Sequence, residues 1–139
     1  MHFPIGVNYI AVVVAGVAIF MIGGVWYSAL FRKQWIAAQG WTEADMKAAA
    51  TGNMAGMYVS QFVTSMVAAW VLAVIMNHFV DLTPLRGALV GVLCWLGFTA
   101  TVVYSNVVWN MKPKRLWVID AGYYLIAYAV AGVILAVWR

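Results

Sequence analysis

Four long apolar blocks divide this chain: Val7 to Leu30, Met54 to Phe79, Gly87 to Trp109 and Leu116 to Trp138. Each exceeds the roughly 20 residues that an α-helix needs to cross a hydrocarbon core of about 30 Å. In lipid a segment must satisfy its own backbone N–H and C=O groups, and a continuous apolar block does so as a helix. Little is left outside these blocks. Of the 139 residues 66% are hydrophobic and 9% charged, against about 25% charged in an ordinary soluble domain. The blocks therefore predict an all-α integral membrane four-helix bundle, a single domain over residues 1–139, with helices at about 7–30, 54–79, 84–109 and 116–138. No extramembrane enzymatic domain fits into the longest connection, Phe31 to Asn53.

Charge sets the orientation. The first connection carries Arg32, Lys33 and Lys47 and the third carries Lys112, Lys114 and Arg115, whereas Arg86 and Arg139 stand at the opposite ends of the spans. The positive-inside rule then puts the first and third connections in the cytoplasm and both termini in the periplasm of an inner-membrane protein. The net charge of +4 does not read as a nucleic-acid surface, because the basic residues cap apolar blocks instead of sharing one polar face. No Lys or Arg precedes the first block, and it is too long for a signal-peptide core of about 7 to 15 residues. It is expected to remain in the mature protein. The single cysteine, Cys94, lies inside the third block and forms no intramolecular disulfide.

The first connection predicts a short interfacial helix from Glu43 to about Thr51. Thr42 is an N-cap with Asp45 three residues on, as in a capping box, and Trp41 and Met46 take the hydrophobic-staple positions. Gly40 is placed to stop an extension of the first span. Thr83 and Pro84 read as N-cap and first residue of the third span, and Pro113 makes a tight turn before the fourth. Short links imply that the second and third spans, and the third and fourth, are antiparallel neighbours.

Three constellations stand out. Gly52, Gly56, Ser60, Thr64 and Ala68 recur every four residues, a stripe of small side chains along the second span, and Gly87 and Gly91 repeat it on the third. Such stripes let another backbone come close, either inside the bundle or at a homo-oligomer seam. Asp120 is the one acidic residue well inside a block; it is either an interfacial carboxylate that snorkels or pairs with Arg115 or Lys114, or a buried functional group. By depth, Tyr27, Ser28, Gln61 and Asn106 share its level, an inner polar cluster that would tie the four helices together. Trp70, Trp95 and Tyr128 share another level, an aromatic layer that is either core or the lining of a groove for a lipophilic ligand. The other tryptophans, Trp26, Trp35, Trp41, Trp109, Trp117 and Trp138, fit the interfacial belt.

No catalytic motif appears: neither a P-loop nor H-E-x-x-H, G-x-S-x-G or C-x-x-C. His2 and His78, without nearby acids or thiols, make a poor metal site. No enzyme activity, metal or cofactor is expected.

The stretch Trp26, Tyr27, Ser28, Leu30, Phe31, Lys33 and Trp35 resembles the W-Y-S-P-L-F-G-K-x-W signature of the domain of unknown function 1761 family, small bacterial integral membrane proteins with four predicted helices. The likeness continues through Trp95 to Phe98 with Asn106, and through Gly122, Tyr123 and Gly132. Two positions depart from the signature, Ala29 for its proline and Arg32 for its glycine, so the first span is expected to run on past Ala29. The resemblance implies the topology and designates no catalytic residue. The resulting expectation is a non-enzymatic membrane protein, a homo-oligomer or an accessory subunit in contact with lipid. The rivals are a small transporter or channel using Asp120 and a binder of a lipophilic ligand.

Overall fold

The computed structural model describes residues 6–139, and six helices carry them. α1 (Tyr9–Leu30), α4 (Met54–Met76), α5 (Pro84–Trp109) and α6 (Lys114–Val137) are each long and apolar enough to cross a membrane. α2 (Arg32–Gln39) and α3 (Glu43–Thr51) fill the first connection. The chain is thus built as a multi-pass membrane protein, with α2 and α3 at one end of the four spans.

The helix starts follow from local chemistry. Asn8 caps α1 by accepting the amides of Ile10 and Ala11 at 3.1 and 3.2 Å, and Thr83 caps α5 ahead of Pro84, accepting the Arg86 amide at 3.2 Å. α3 has the expected capping box: the Asp45 amide donates to the Thr42 hydroxyl, and the Asp45 carboxylate accepts the Thr42 amide at 2.8 Å. The Thr42 hydroxyl also donates to that carboxylate, at 3.0 Å; because the two bonds it accepts from Thr42, backbone amide first and hydroxyl second, favour the charged form, the Asp45 carboxyl is held below the usual carboxylate range. α4 stops three residues before the expected Phe79. There the chain tightens into turns, with the His78 and Phe79 amides donating to the Ile75 and Met76 carbonyls, and the Arg139 guanidinium donates to the carbonyls of Met76, Phe79 and Val80, at 3.3, 2.6 and 3.3 Å.

The first connection differs from the sequence expectation. α1 runs on past Ala29 to Leu30, as expected, but its last turn widens into a π-turn over Trp26–Leu30, where the Phe31 amide donates back to the Trp26 carbonyl at 2.9 Å, before the helix breaks at Phe31. A turn forms there without the signature's proline. Gly40, at φ 72°, accordingly ends α2 instead of an extended α1, and two short helices stand where one was expected. α2 folds back so that Ala38 is buried with Val107 of α5 and Leu116 of α6. Lys112 fastens it by donating to the Gln39 carbonyl at 2.7 Å, a cation on a helix C-terminus, where the dipole favours it.

α6 is the centre of the bundle and packs on both α5 and α1; α4 packs chiefly on α1. The main core joins Ala11, Ala15 and Ile19 of α1, Ala69, Leu72 and Met76 of α4, and Tyr123, Ala127 and Ala131 of α6. α4 and α5 were expected to be packed neighbours. They meet only sparsely, because the small residues of α5 are already occupied by α6 and the buried residues of α4 begin only at Ser65. Between their walls lies an open groove.

Candidate functional site

The densest set of directed contacts between helices surrounds Asp120. Tyr27, in the π-turn of α1, donates its hydroxyl to the carboxylate at 2.6 Å. The neighbouring indoles take the flanking carbonyls: Trp26 donates to Ile119 at 2.9 Å, and Trp95 of α5 donates to Ala121 at 2.7 Å. Three consecutive residues of α6 are thereby held by two other helices. Trp35 of α2 also stands beside the carboxylate and meets the Tyr27 ring edge-on at 5.7 Å.

Each of these bonds has a reason at membrane depth. An indole N–H or phenol O–H surrounded by hydrocarbon needs an acceptor, and helix carbonyls have a spare lone pair. The two tryptophans also open the two π-segments, Trp26–Leu30 of α1 and Trp95–Ala100 of α5. A third indole, on Trp117, donates to the Ala100 carbonyl at 3.0 Å, at the end of the α5 segment whose i→i+4 bonding is interrupted. Tyr123 adds a fifth tie through its hydroxyl to the Ile19 carbonyl at 2.8 Å.

Among the described residues the Asp120 carboxylate has no cationic partner; it neither snorkels to Arg115 nor pairs with Lys114, and a tyrosine hydroxyl takes that place. Of the five residues placed at one polar level, Tyr27 and Asp120 meet directly. Gln61 lies beside the Tyr123 hydroxyl, one step away. Ser28 and Asn106 do not join: both are exposed, and Ser28 donates to the Gly24 carbonyl of its own helix. Shared depth did not imply a shared face.

The aromatic level dissolves in the same way. Trp95 belongs to the Asp120 clamp and Trp70 is 39% exposed, while Tyr128 stacks on Tyr124 with centroids 5.8 Å apart and borders the groove. A different aromatic series takes its place: Trp41, Trp35, Tyr27, Tyr123, Tyr124 and Tyr128 follow one another at 4.6 to 5.8 Å. The sequence signal available for it was Tyr124 and Tyr128 at i, i+4, one helical face. Trp26, Trp35 and Trp117, read as interfacial anchors, are half-buried and hydrogen-bond or stack against other helices. His2 lies outside the described residues, and the Nδ1 of His78 sits 3.0 Å from the Val74 carbonyl.

The small-residue stripes divide. A Cβ on Gly87 would overlap the Gly132 carbonyl, and one on Gly91 the Tyr128 carbonyl, so this pair is consumed where α5 presses on α6. Ser60 and Thr64 of α4 are exposed, as is Gly52 at the end of α3, and Gly56 is half-buried; no helix of this chain covers them.

Of the residues that carried the sequence resemblance, Trp26, Tyr27, Trp35, Trp95, Gly122 and Tyr123 converge on the Asp120 level. The family model described as "Protein of unknown function (DUF1761)" matches residues 10–136. The chain belongs to the DUF1761 family. In this DUF1761 protein the matched region takes in all four spans and the whole clamp. No curated protein and no solved structure matches the chain.

Proposed function

We propose that this DUF1761 protein is a non-enzymatic component of a bacterial inner-membrane assembly, as a homo-oligomer or as an accessory subunit, with α4 as its contact helix. One observation carries the reading: Gly56, Ser60 and Thr64 of the small-residue stripe lie on a stretch of α4 without a single buried residue, with Gly52 just ahead of the helix. Lipid tails are as apolar as leucine, so helices in a bilayer associate where small residues let backbones approach. The α5 stripe has found its partner in α6, and the α4 stripe has the same character with none inside the chain. The distribution of basic residues supports both termini in the periplasm and the α2–α3 end in the cytoplasm.

The Asp120 clamp supports a structural post more than a carrier. Its carboxylate is already engaged by Tyr27, and the half of the bundle beyond it is built of Val, Leu, Ile, Ala and aromatics.

Disulfide trapping in native membranes tests the assembly. With Cys94→Ser as background, Ser60→Cys is expected to give an oxidised adduct, of twice the chain mass for a homo-oligomer or of another mass for a foreign subunit. Val13→Cys, on the opposite apolar surface of α1, serves as the comparison. Adducts no more abundant from Ser60→Cys than from Val13→Cys would refute α4 as the contact helix.

A further inference from the structure

The groove between α4 and α5 deepens into a cavity of about 270 Å³. Ile19 of α1 and the rings of Tyr124 and Tyr128 form its floor; Gln61 and Thr64 of α4 face Phe98 and Thr99 of α5 across it. These positions lie roughly 10 to 20 Å along their helices from the α2–α3 end, at 1.5 Å per residue. That is hydrocarbon depth.

Four features of the cavity restrict its occupant. Its lining contains no charged residue, which argues against a phosphate or ammonium head group, whose burial without a counter-ion is costly. It does contain hydroxyls with unused capacity. Thr64 and Ser65 donate to the Gln61 backbone carbonyl at 2.9 and 2.8 Å, but the hydroxyls of Thr99, Tyr124 and Tyr128 make no hydrogen bond among the described residues. A donor left alone in hydrocarbon is unfavourable by a few kcal/mol, so this trio calls for acceptors. Three rings, Phe98, Tyr124 and Tyr128, offer flat faces for offset stacking. Finally, the volume lies at the lower edge of the roughly 300 to 1,000 Å³ of small-molecule sites, and the sparse α4–α5 contact leaves a lateral way to the lipid. A compact head group fits, with its tail in the bilayer.

We infer that this cavity binds the ring of a neutral membrane quinone. Carbonyls of the ring accept from the tyrosine and threonine hydroxyls, and the Gln61 amide offers both a donor and an acceptor. The reduced quinol is accommodated as well, because hydroxyl rotors turn from donor to acceptor. The isoprenoid tail leaves between α4 and α5. This site does not rest on the assembly reading: Thr64 is common to both, but Gly56 and Ser60 lie on the turns of α4 that precede the cavity and Gly52 lies ahead of the helix.

The test uses the full chain in nanodiscs, an azido-quinone with a decyl tail as photolabel and decylubiquinone as competitor. Label is expected on the peptides holding Phe98 to Val103 and Tyr124 to Tyr128, reduced at least tenfold by the competitor. The paired change Tyr124→Phe and Tyr128→Phe keeps the rings and is expected to weaken competition about tenfold. Ser60→Leu is expected to leave the labelling unchanged while abolishing the trapped assembly. Label spread along lipid-facing residues such as Val13 and Leu93 and indifferent to competitor would overturn the site. So would native mass spectra in which the cavity retains a phospholipid against excess decylubiquinone. If the double tyrosine variant does not fold, the position and competition of label on the unaltered chain decide alone.

Discussion

The α5–α6 seam and the α4–α5 gap begin from the same kind of residue and end in opposite states. Gly87 and Gly91 bring α5 against α6 so closely that backbone meets backbone, because Gly132 stands opposite and adds no Cβ of its own. On α4, Gly56, Ser60 and Thr64 keep the same four-residue spacing, yet no complementary face of this chain meets them. A small-residue stripe records a capacity for close approach; the opposite surface decides whether it is used. The two regions also differ in polar chemistry. Hydrogen bonds across the interior on the α6 side are closed by tryptophan and tyrosine, whereas the gap keeps unused hydroxyls.

The sharpest break of this comparison is a substitution on each side. Gly132→Val places a methyl-bearing carbon in the Gly87 carbonyl and is expected to remove about 3 kcal/mol or more, read as loss of folded protein in a detergent-resistance assay. Ser60→Leu, on the open stripe, should leave that stability unchanged and remove the trapped adduct; equal loss in both variants would mean that the α4 stripe is internal after all. Next in size is the clamp. Tyr27→Phe leaves the Asp120 carboxylate without its hydroxyl donor and should cost about 1 to 3 kcal/mol, while Asp120→Asn retains an acceptor for Tyr27 and should cost less, by denaturant titration in mixed micelles. The reverse order would mark the negative charge as the stabilising element. Trp95→Phe, which keeps an aromatic ring and deletes the N–H to Ala121, should cost about 1 kcal/mol.

The smallest effect lies outside the spans, at α3. Its Asp45 carboxyl titrates lower in the folded chain than unfolded, so its contribution is present above the unfolded value and is lost as pH falls through the folded one. Helicity assigned to α3 by amide exchange should therefore decline below about pH 4, and Asp45→Ala should abolish that pH response.

Elements governed by near neighbours in the chain were legible beforehand. The α3 capping box, the Thr83–Pro84 start of α5 and the extent of four spans depend on residues within a turn or two. What escaped depends on distant partners. The end of α4 is met by Arg139, the π-turn of α1 is accompanied by Trp26 and Tyr27 bonding to α6, and the separation of α4 from α5 follows from α6 already occupying the glycines. At the site, Tyr27 and Asp120 could be matched by depth alone because they happen to face each other. Ser28 and Asn106 had the right depth and the wrong azimuth, which a hydropathy pattern nearly uniform around each helix does not reveal.

The π-segment of α5 solves a problem of angular phase. Gly91 and Val107 both turn toward α6, sixteen positions apart. At roughly 100° per residue a regular helix would set them about 160° apart, on nearly opposite sides. One wide turn absorbs about one residue, which brings the difference down to roughly 60°. The same offset moves Ala100 from behind α5 to a place where Trp117 can reach its carbonyl. Deleting a single residue between Trp95 and Ala100 would remove the wide turn yet keep Val107 toward α6, because fifteen positions of regular helix give the same roughly 60°; rewinding the segment with all its residues kept would swing the second half away, so in this helix the count of residues is itself a structural element.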